Sequence, residues 1–144
     1  MNRSRLIGVT LLGVILLAGA AMTFRSTRPS EVQMPRGIPE SERAPAGQRV
    51  RVQVLNATKI RGLGRRAALV LRDRGFDVVE IGTLGQQRDS TLVLDVSGHP
   101  DWASRIAAAF GRARVEARPD SSRYLDVVVL VGESWRPPAE PFYP

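Results

Sequence analysis

The residues with the clearest potential for chemistry lie in one predicted turn, NATKIRGLGRR, at positions 56–66. Gly62 and Gly64 allow the backbone to approach a ligand closely, and the start of the helix that follows has free N–H groups that favour anions. Four bases surround this turn: Lys59, Arg61, Arg65 and Arg66. The spacing matches neither G-x-x-x-x-G-K-[ST] nor G-x-G-x-x-G, so no nucleotide motif is present. The turn is therefore a candidate site for an anion or an anionic polymer.

An ordinary strand-to-helix turn explains the same residues without a ligand. In that interpretation Asn56 and Thr58 bond to nearby backbone groups, while Ile60 and Leu63 fill the core. The binding hypothesis instead assigns the anion to a set of eight residues: Asn56, Thr58, Lys59, Arg61, Gly62, Arg65, Arg66 and Arg72. The residues alone leave both interpretations open.

The charge of the chain is concentrated around this turn. The 144 residues include 21 Lys and Arg and 14 Asp and Glu, a formal net charge of +7. Residues 49–74 contain eight of these bases and one acid, Asp73, and the bases and acids of the other segments cancel. A basic surface of this kind suits anionic partners, although net charge says nothing about the fold.

Catalytic and metal chemistry have little support in the sequence. The chain has no Cys, which excludes disulfides, thiolate nucleophiles and Cys-based metal sites, and it has one His. That residue, His99, has Ser97 and Ser104 nearby, but we interpret it as a capping or surface residue. The carboxylates form no pair that suggests glycoside hydrolysis. Trp102 and Trp135 could stack on sugars, although Trp102 lies on an apolar helix stripe and suits the core. We predict no enzyme activity, no metal site and no cofactor.

A compact region at residues 49–135 must position these groups. The alternation of residues 49–55 predicts a strand, and the apolar positions of residues 62–74 recur with helical spacing. A strand at 76–81 follows, and the pattern then repeats as a strand at 91–96, a helix at 100–110 and a strand at 113–118. The final strand, 124–131, contains five consecutive apolar residues, which is typical of a central strand.

This order predicts an α+β fold, a ferredoxin-like β-α-β-β-α-β-β sandwich with two helices on one face of a mixed sheet. A small Rossmann-like α/β sheet is the alternative. That fold needs helices on both faces, whereas the first strand places Arg49, Arg51 and Gln53 on one side. The half-open sheet therefore fits the pattern better.

The segments outside the compact region predict a location. Residues 6–24 form an uncharged apolar stretch after a tail, residues 1–5, with Arg3 and Arg5. At 1.5 Å per residue this stretch is just long enough to span a bilayer, and the basic tail favours a cytoplasmic N-terminus. Cleavage near Ala20, which would give a secreted or periplasmic protein, is the alternative. Residues 25–48 predict a proline-rich linker, and residues 136–144 a disordered tail.

Three blocks of the compact region resemble the LytR C-terminal domain family. These are VRVQVLN at 50–56, followed by Ala57, Thr58 and Gly62-Leu63; RGFDVV at 74–79; and DVVVLVGESW at 126–135. The chain departs from the family pattern where Ala57 replaces the usual Gly, at Gly64, and around residues 91–95, where the familiar Tyr is missing. These departures affect the loops more than the fold.

The resemblance implies a stand-alone envelope module without the catalytic domain of the LytR-CpsA-Psr enzymes. We expect a non-catalytic, membrane-tethered, extracytoplasmic domain that binds a cell-wall polymer, peptidoglycan or an envelope protein. A nucleic-acid-binding module that uses the basic segment 49–74 is the alternative. RNA-binding sheets of this kind stack bases on aromatic side chains, and the predicted strands at 49–55 and 91–96 contain none.

Overall fold

A computed structural model of the chain describes residues 37–121 and 124–139. Within these ranges no helix is long and apolar enough to cross a membrane. The predicted cytoplasmic tail, the apolar segment 6–24, the cleavage site near Ala20 and the first part of the linker lie outside the described residues. The last five residues of the predicted tail, 140–144, lie outside them as well.

The described residues form two α-helices and five strands in the predicted order. They are β1 (Arg51–Asn56), α1 (Leu63–Asp73), β2 (Asp77–Thr83), β3 (Leu92–Asp95), α2 (Pro100–Ala109), β4 (Arg114–Ala117) and β5 (Val127–Val131), preceded by a short 3-10 helix (Glu40–Glu42). The last strand is shorter than the predicted 124–131 because its first residues are not part of the ladder. Tyr124 is 78% exposed.

The five strands form one mixed sheet in the order β2-β1-β5-β3-β4. Neighbouring strands are parallel except for β3 and β5, which are antiparallel. The predicted central position of the valine-rich strand is confirmed, since β5 lies between β1 and β3. Val127, Val129 and Val131 on one face are completely buried, and Val128 on the other face is buried as well, which explains why the apolar run shows no alternation.

Both helices pack on one face of the sheet and contact each other. The α+β class, the mixed sheet and the placement of the helices are therefore confirmed, and the Rossmann-like alternative is not observed. The strand order refines the ferredoxin-like expectation. Each β-α-β unit joins two directly adjacent strands, β1 with β2 and β3 with β4, whereas a split unit encloses another strand. Here β5 lies between the two units and pairs with β1 on one edge and β3 on the other.

The core lies between the helices and the sheet. The apolar stripe of α1 is buried and consists of Leu63, Ala67, Ala68, Val70 and Leu71. The stripe packs against Val52 and Val54, which alternate along β1 with the half-buried Arg51 and Gln53. The buried face of β1 and the apolar stripe of α1 thus pack against each other across the core.

Residues 37–48, which the sequence assigned to the linker, lie against the domain. Arg105 Nη1 donates to the carbonyl oxygen of Glu40 at 2.8 Å, and the Ala44 amide donates to the carbonyl of Arg74 at 2.9 Å. Arg74 and Glu42 form an ion pair at 2.9 Å. These contacts use backbone carbonyls and single side chains. They therefore produce no periodic pattern of apolar residues from which the sequence could predict them.

Candidate anion-binding surface

The turn between β1 and α1 is held by the side chains of Asn56 and Thr58. Asn56 Oδ1 accepts hydrogen bonds from the Thr58 amide at 3.2 Å and the Thr58 hydroxyl at 2.8 Å. Asn56 Nδ2 donates to the carbonyl of Ile60 at 2.9 Å, and Thr58 Oγ1 accepts from the Ile60 amide at 3.0 Å. Both residues are buried, with 9% and 8% exposure. The structure therefore places these two predicted ligand-binding side chains inside the turn.

The two glycines of the turn have backbone roles. Gly62 precedes α1 with φ at 78°, in the left-handed region where a residue with a side chain is strained. A Cβ on Gly64 would lie 3.2 Å from the Cβ of Asn56. Gly64 is buried and allows the close approach of α1 to β1, since a side chain there would crowd Asn56. Of the pair, Gly62 alone lies at the exposed surface beside the bases.

Four bases project from this scaffold into solvent. Lys59 and Arg61 belong to the turn, and Arg65 and Arg66 to the first turn of α1; all four are exposed. None of them has an ion pair or a side-chain hydrogen bond within residues 37–121 and 124–139. We call Lys59, Arg61, Arg65 and Arg66 the basic cluster. No side chain caps the start of α1, which adds its positive dipole end to the same surface.

The other bases of residues 49–74 are engaged elsewhere. Arg49 pairs with Asp77 at 2.6 Å, and Arg74 pairs with Glu42. Arg72, a predicted site residue, is exposed, but its Nη2 donates to the carbonyl of Val78 at 3.0 Å. The structure thus separates Arg72 from the basic cluster and concentrates the uncompensated charge at the start of α1.

Arg51 is engaged by Asp126 in the loop before β5. The Asp126 carboxylate accepts from the Arg51 amide at 2.8 Å and from its guanidinium at 3.2 and 3.3 Å. The side-chain hydrogen bond to Asp126 raises the pKa of Arg51, with partial desolvation acting in the opposite direction. This pair ties the first residue of β1 to β5, so its role is in the fold.

His99 lies on the surface, as predicted. Its ring stacks on Trp102 with 3.9 Å between ring centroids, and Nδ1 lies 3.0 Å from the Ser97 hydroxyl. The carboxylate of Asp95, rather than the histidine, accepts the backbone N–H groups before α2, at 2.9 to 3.2 Å. In the described part of the chain, no three His, Asp or Glu side chains are close enough to share a metal ion.

The comparison with known families agrees with this fold. The profile of LytR_C, described as "LytR cell envelope-related transcriptional attenuator", matches residues 49–135, which is more than half of the chain. The chain belongs to the LytR_C family. The resemblance of its three sequence blocks is thereby confirmed, and the compact region predicted at 49–135 coincides with the matched range.

One solved structure is similar to the LytR_C chain, the solution structure of the C-terminal domain of RV0431. The two are 28% identical, and the match covers 74% of this chain and 88% of that one, with a TM-score of 0.41. No curated protein matches the chain in sequence. LytR_C is a cell envelope-related family of C-terminal domains.

Proposed function

We propose that this LytR_C domain binds an anionic polymer of the cell envelope through the basic cluster. The observation that carries the proposal is a group of four exposed bases at the start of α1 that have no ion pair among the described residues. They lie on a turn whose buried side chains hold its shape. Arginine suits this role because its planar guanidinium can bind a phosphate or carboxylate through two hydrogen bonds.

The architecture of the surface favours a repeating ligand. A single exposed ion pair contributes only about 0.2 to 1 kcal/mol, so one anionic group would bind weakly. A polymer presents the next anionic group at once, and several weak contacts on one chain raise the effective concentration of the others. Because all four bases are exposed to solvent, binding should weaken as salt screens the charges.

The proposal places the domain outside the cytoplasm. Residues 6–24 would anchor the chain in the membrane, or direct its export before cleavage near Ala20, and residues 25–36 would act as a tether. Anchored in this way, the domain would hold a wall polymer close to the membrane without transforming it. The same location would also serve binding to peptidoglycan or to an envelope protein, which are outcomes of the experiments below.

The test is co-sedimentation of the full-length chain, in a neutral detergent, with purified sacculi. The variant Arg61→Gln/Arg65→Gln removes two charges of the basic cluster. The matched control, Arg43→Gln/Arg118→Gln, removes two exposed arginines from outside it. If each lost contact contributes about 0.7 kcal/mol, the first variant should bind roughly tenfold more weakly.

The control variant should bind like the wild type. Equal binding by all three proteins would eliminate the basic cluster as the site. Absence of binding by the wild type to sacculi would leave an envelope protein as the ligand. Sacculi stripped of their anionic polymers distinguish an anionic polymer from peptidoglycan as the ligand. Only binding to peptidoglycan itself would survive the stripping.

Location is tested separately with a reporter fused after Trp135. A reporter that is active only outside the cytoplasm should give a signal. A reporter that is active only in the cytoplasm should give none. The reverse result would contradict an envelope role and favour the alternative, nucleic-acid binding by the same basic segment. The fold gives that alternative less support, because β1 and β3 carry no aromatic side chain on which a base could stack.

A further inference from the structure

A cleft of about 730 Å³ lies beside the end of α2, away from the basic cluster. Its walls come from the turn at residues 110–114, from Ser90 and Thr91 before β3, and from residues 134–138 after β5. This volume falls within the range of sites that bind small molecules, about 300 to 1,000 Å³. None of the four bases of the basic cluster lines it.

Two aromatic residues of the core form the floor of the cleft. Phe110 and Trp135 are 6% and 7% exposed, and their ring centroids lie 5.0 Å apart with the planes tilted by 52°. Both rings belong to the core, so they cannot turn away from the cleft without disrupting the packing of α2. Because little of either ring is exposed, the floor offers a small apolar contact to the carbon atoms of a ring or chain.

The wall of the cleft carries a strong excess of positive charge. Its arginines are Arg74, Arg112, Arg114 and Arg136, and its one acid, Glu42, is occupied by Arg74. Arg114 pairs with Glu116 at 3.1 Å, but its side chain is 78% exposed and the pair is weak. Among the residues that the structure describes, Arg136 donates only to the carbonyls of Glu133 and Trp135. No ion pair or hydrogen bond of the Arg112 side chain is found in the described part of the chain.

The backbone of Arg112 is unusual as well. Its φ of 63° is the one positive value found for a residue other than glycine among residues 37–121 and 124–139. The left-handed conformation is strained for arginine, and glycine would fill this turn more easily. A turn that only connected α2 to β4 would therefore be better served by glycine. Non-glycine residues in this conformation cluster at functional sites, which marks Arg112 as a candidate ligand-binding residue.

We propose that this cleft binds a small phosphate ester, with the phosphate on Arg112 and Arg136 and the organic part over Phe110 and Trp135. Guanidinium groups match the geometry of phosphate oxygens, and two of them, without carboxylate partners, favour a dianion. Ser90 and Ser134 line the same cleft, and a serine hydroxyl can bond to the hydroxyls of a sugar. This site is separate from the basic cluster and does not depend on the proposed function.

The test is an NMR titration of the full-length chain in neutral micelles with glucose 1-phosphate, glucose and inorganic phosphate. Glucose 1-phosphate should shift the Nε–H signal of Arg112 and the indole signal of Trp135 in a saturable manner, and glucose should not. Inorganic phosphate should bind at least several-fold more weakly because it does not reach the aromatic floor. Equal binding of inorganic phosphate, or absence of saturable shifts with the sugar phosphate, would overturn the proposal.

Two variants separate binding from folding. Arg112→Gly keeps the backbone conformation and removes the guanidinium, so affinity for glucose 1-phosphate should fall by about tenfold while the urea midpoint stays at or above that of the wild type. Arg61→Gln/Arg65→Gln should retain full affinity. Unchanged affinity in Arg112→Gly, or loss of affinity in the basic-cluster variant, would refute the assignment. Bicelles containing phosphatidylglycerol form the last arm: shifts with these alone would show a lipid headgroup and exclude the soluble ester.

Discussion

Replacement of Asn56 by alanine is expected to destabilise the domain by about 3 kcal/mol. The side chain makes three hydrogen bonds, to the Thr58 amide, the Thr58 hydroxyl and the Ile60 carbonyl, at 2.8 to 3.2 Å. A typical intramolecular hydrogen bond contributes about 1 kcal/mol net, and loss of this side chain also leaves polar groups of a buried turn without partners. The sum is a large part of the stability of a small domain.

The assay is urea unfolding of the full-length chain in neutral detergent, followed by the fluorescence of the two tryptophans. With an m-value of about 1.5 kcal/mol/M, the midpoint should fall by roughly 2 M. Asn56→Asp should lie between the wild type and the alanine variant, because it keeps the oxygen that accepts from Thr58 and places a second oxygen against the Ile60 carbonyl. Both variants should reduce polymer binding only where the turn has unfolded.

The reasoning would be refuted if Asn56→Ala changed the free energy of unfolding by less than about 0.5 kcal/mol while abolishing binding to sacculi. That result would make Asn56 a direct ligand contact, as the binding hypothesis from the sequence has it. Loss of stability with normal binding below the unfolding transition supports the scaffold role that the hydrogen bonds indicate.

Three further variants test other parts of the fold. Thr58→Val should lower the free energy of unfolding in urea by about 1 to 2 kcal/mol, because the Ile60 amide loses its acceptor. Thr58→Ser should stay close to the wild type. Equal stability of the two variants would contradict a stabilising role for this hydrogen bond. Gly132→Ala should lower the free energy of unfolding by about 3 kcal/mol or more, because a Cβ there would lie 2.2 Å from the Ser90 carbonyl carbon. Gly85→Ala, where a Cβ would have no atom within 4 Å, should leave the stability unchanged. An unchanged stability in Gly132→Ala would show that the backbone around Ser90 can move. Arg112→Gly should leave the free energy of unfolding unchanged or raise it by up to about 1 kcal/mol, since it relieves a positive φ of 63°; a marked loss would mean that the side chain supports the turn.

Much of the fold could be predicted because its elements follow simple periods. The alternation around Val52 and Val54, the stripe of α1 and the continuous run of β5 each match their observed burial. The unsplit β-α-β units could not be predicted in this way. Strand order depends on which strands pair across the sheet, and the apolar pattern of one strand does not identify its neighbours.

The candidate site was only partly predictable. The bases of the turn were evident from their spacing, but the sequence could not show that Arg49, Arg51 and Arg74 have acidic partners 28, 75 and 32 residues away. The cleft beside α2 was missed altogether. Its residues come from distant segments, and the positive φ of Arg112 leaves no mark in a sequence where Arg follows Gly111 at the end of a helix.

The central claim, that the basic cluster holds an anionic wall polymer, is tested most directly by measuring the bound fraction of the full-length chain on sacculi with and without their anionic polymers. The measurement is made at about 0.1 M and about 1 M salt, between which the screening length falls from about 10 to about 3 Å. We predict strong binding to intact sacculi at low salt, and weak binding at high salt, after stripping, or in Arg61→Gln/Arg65→Gln. Binding that is the same on stripped sacculi, insensitive to salt and unchanged in the variant would contradict the account.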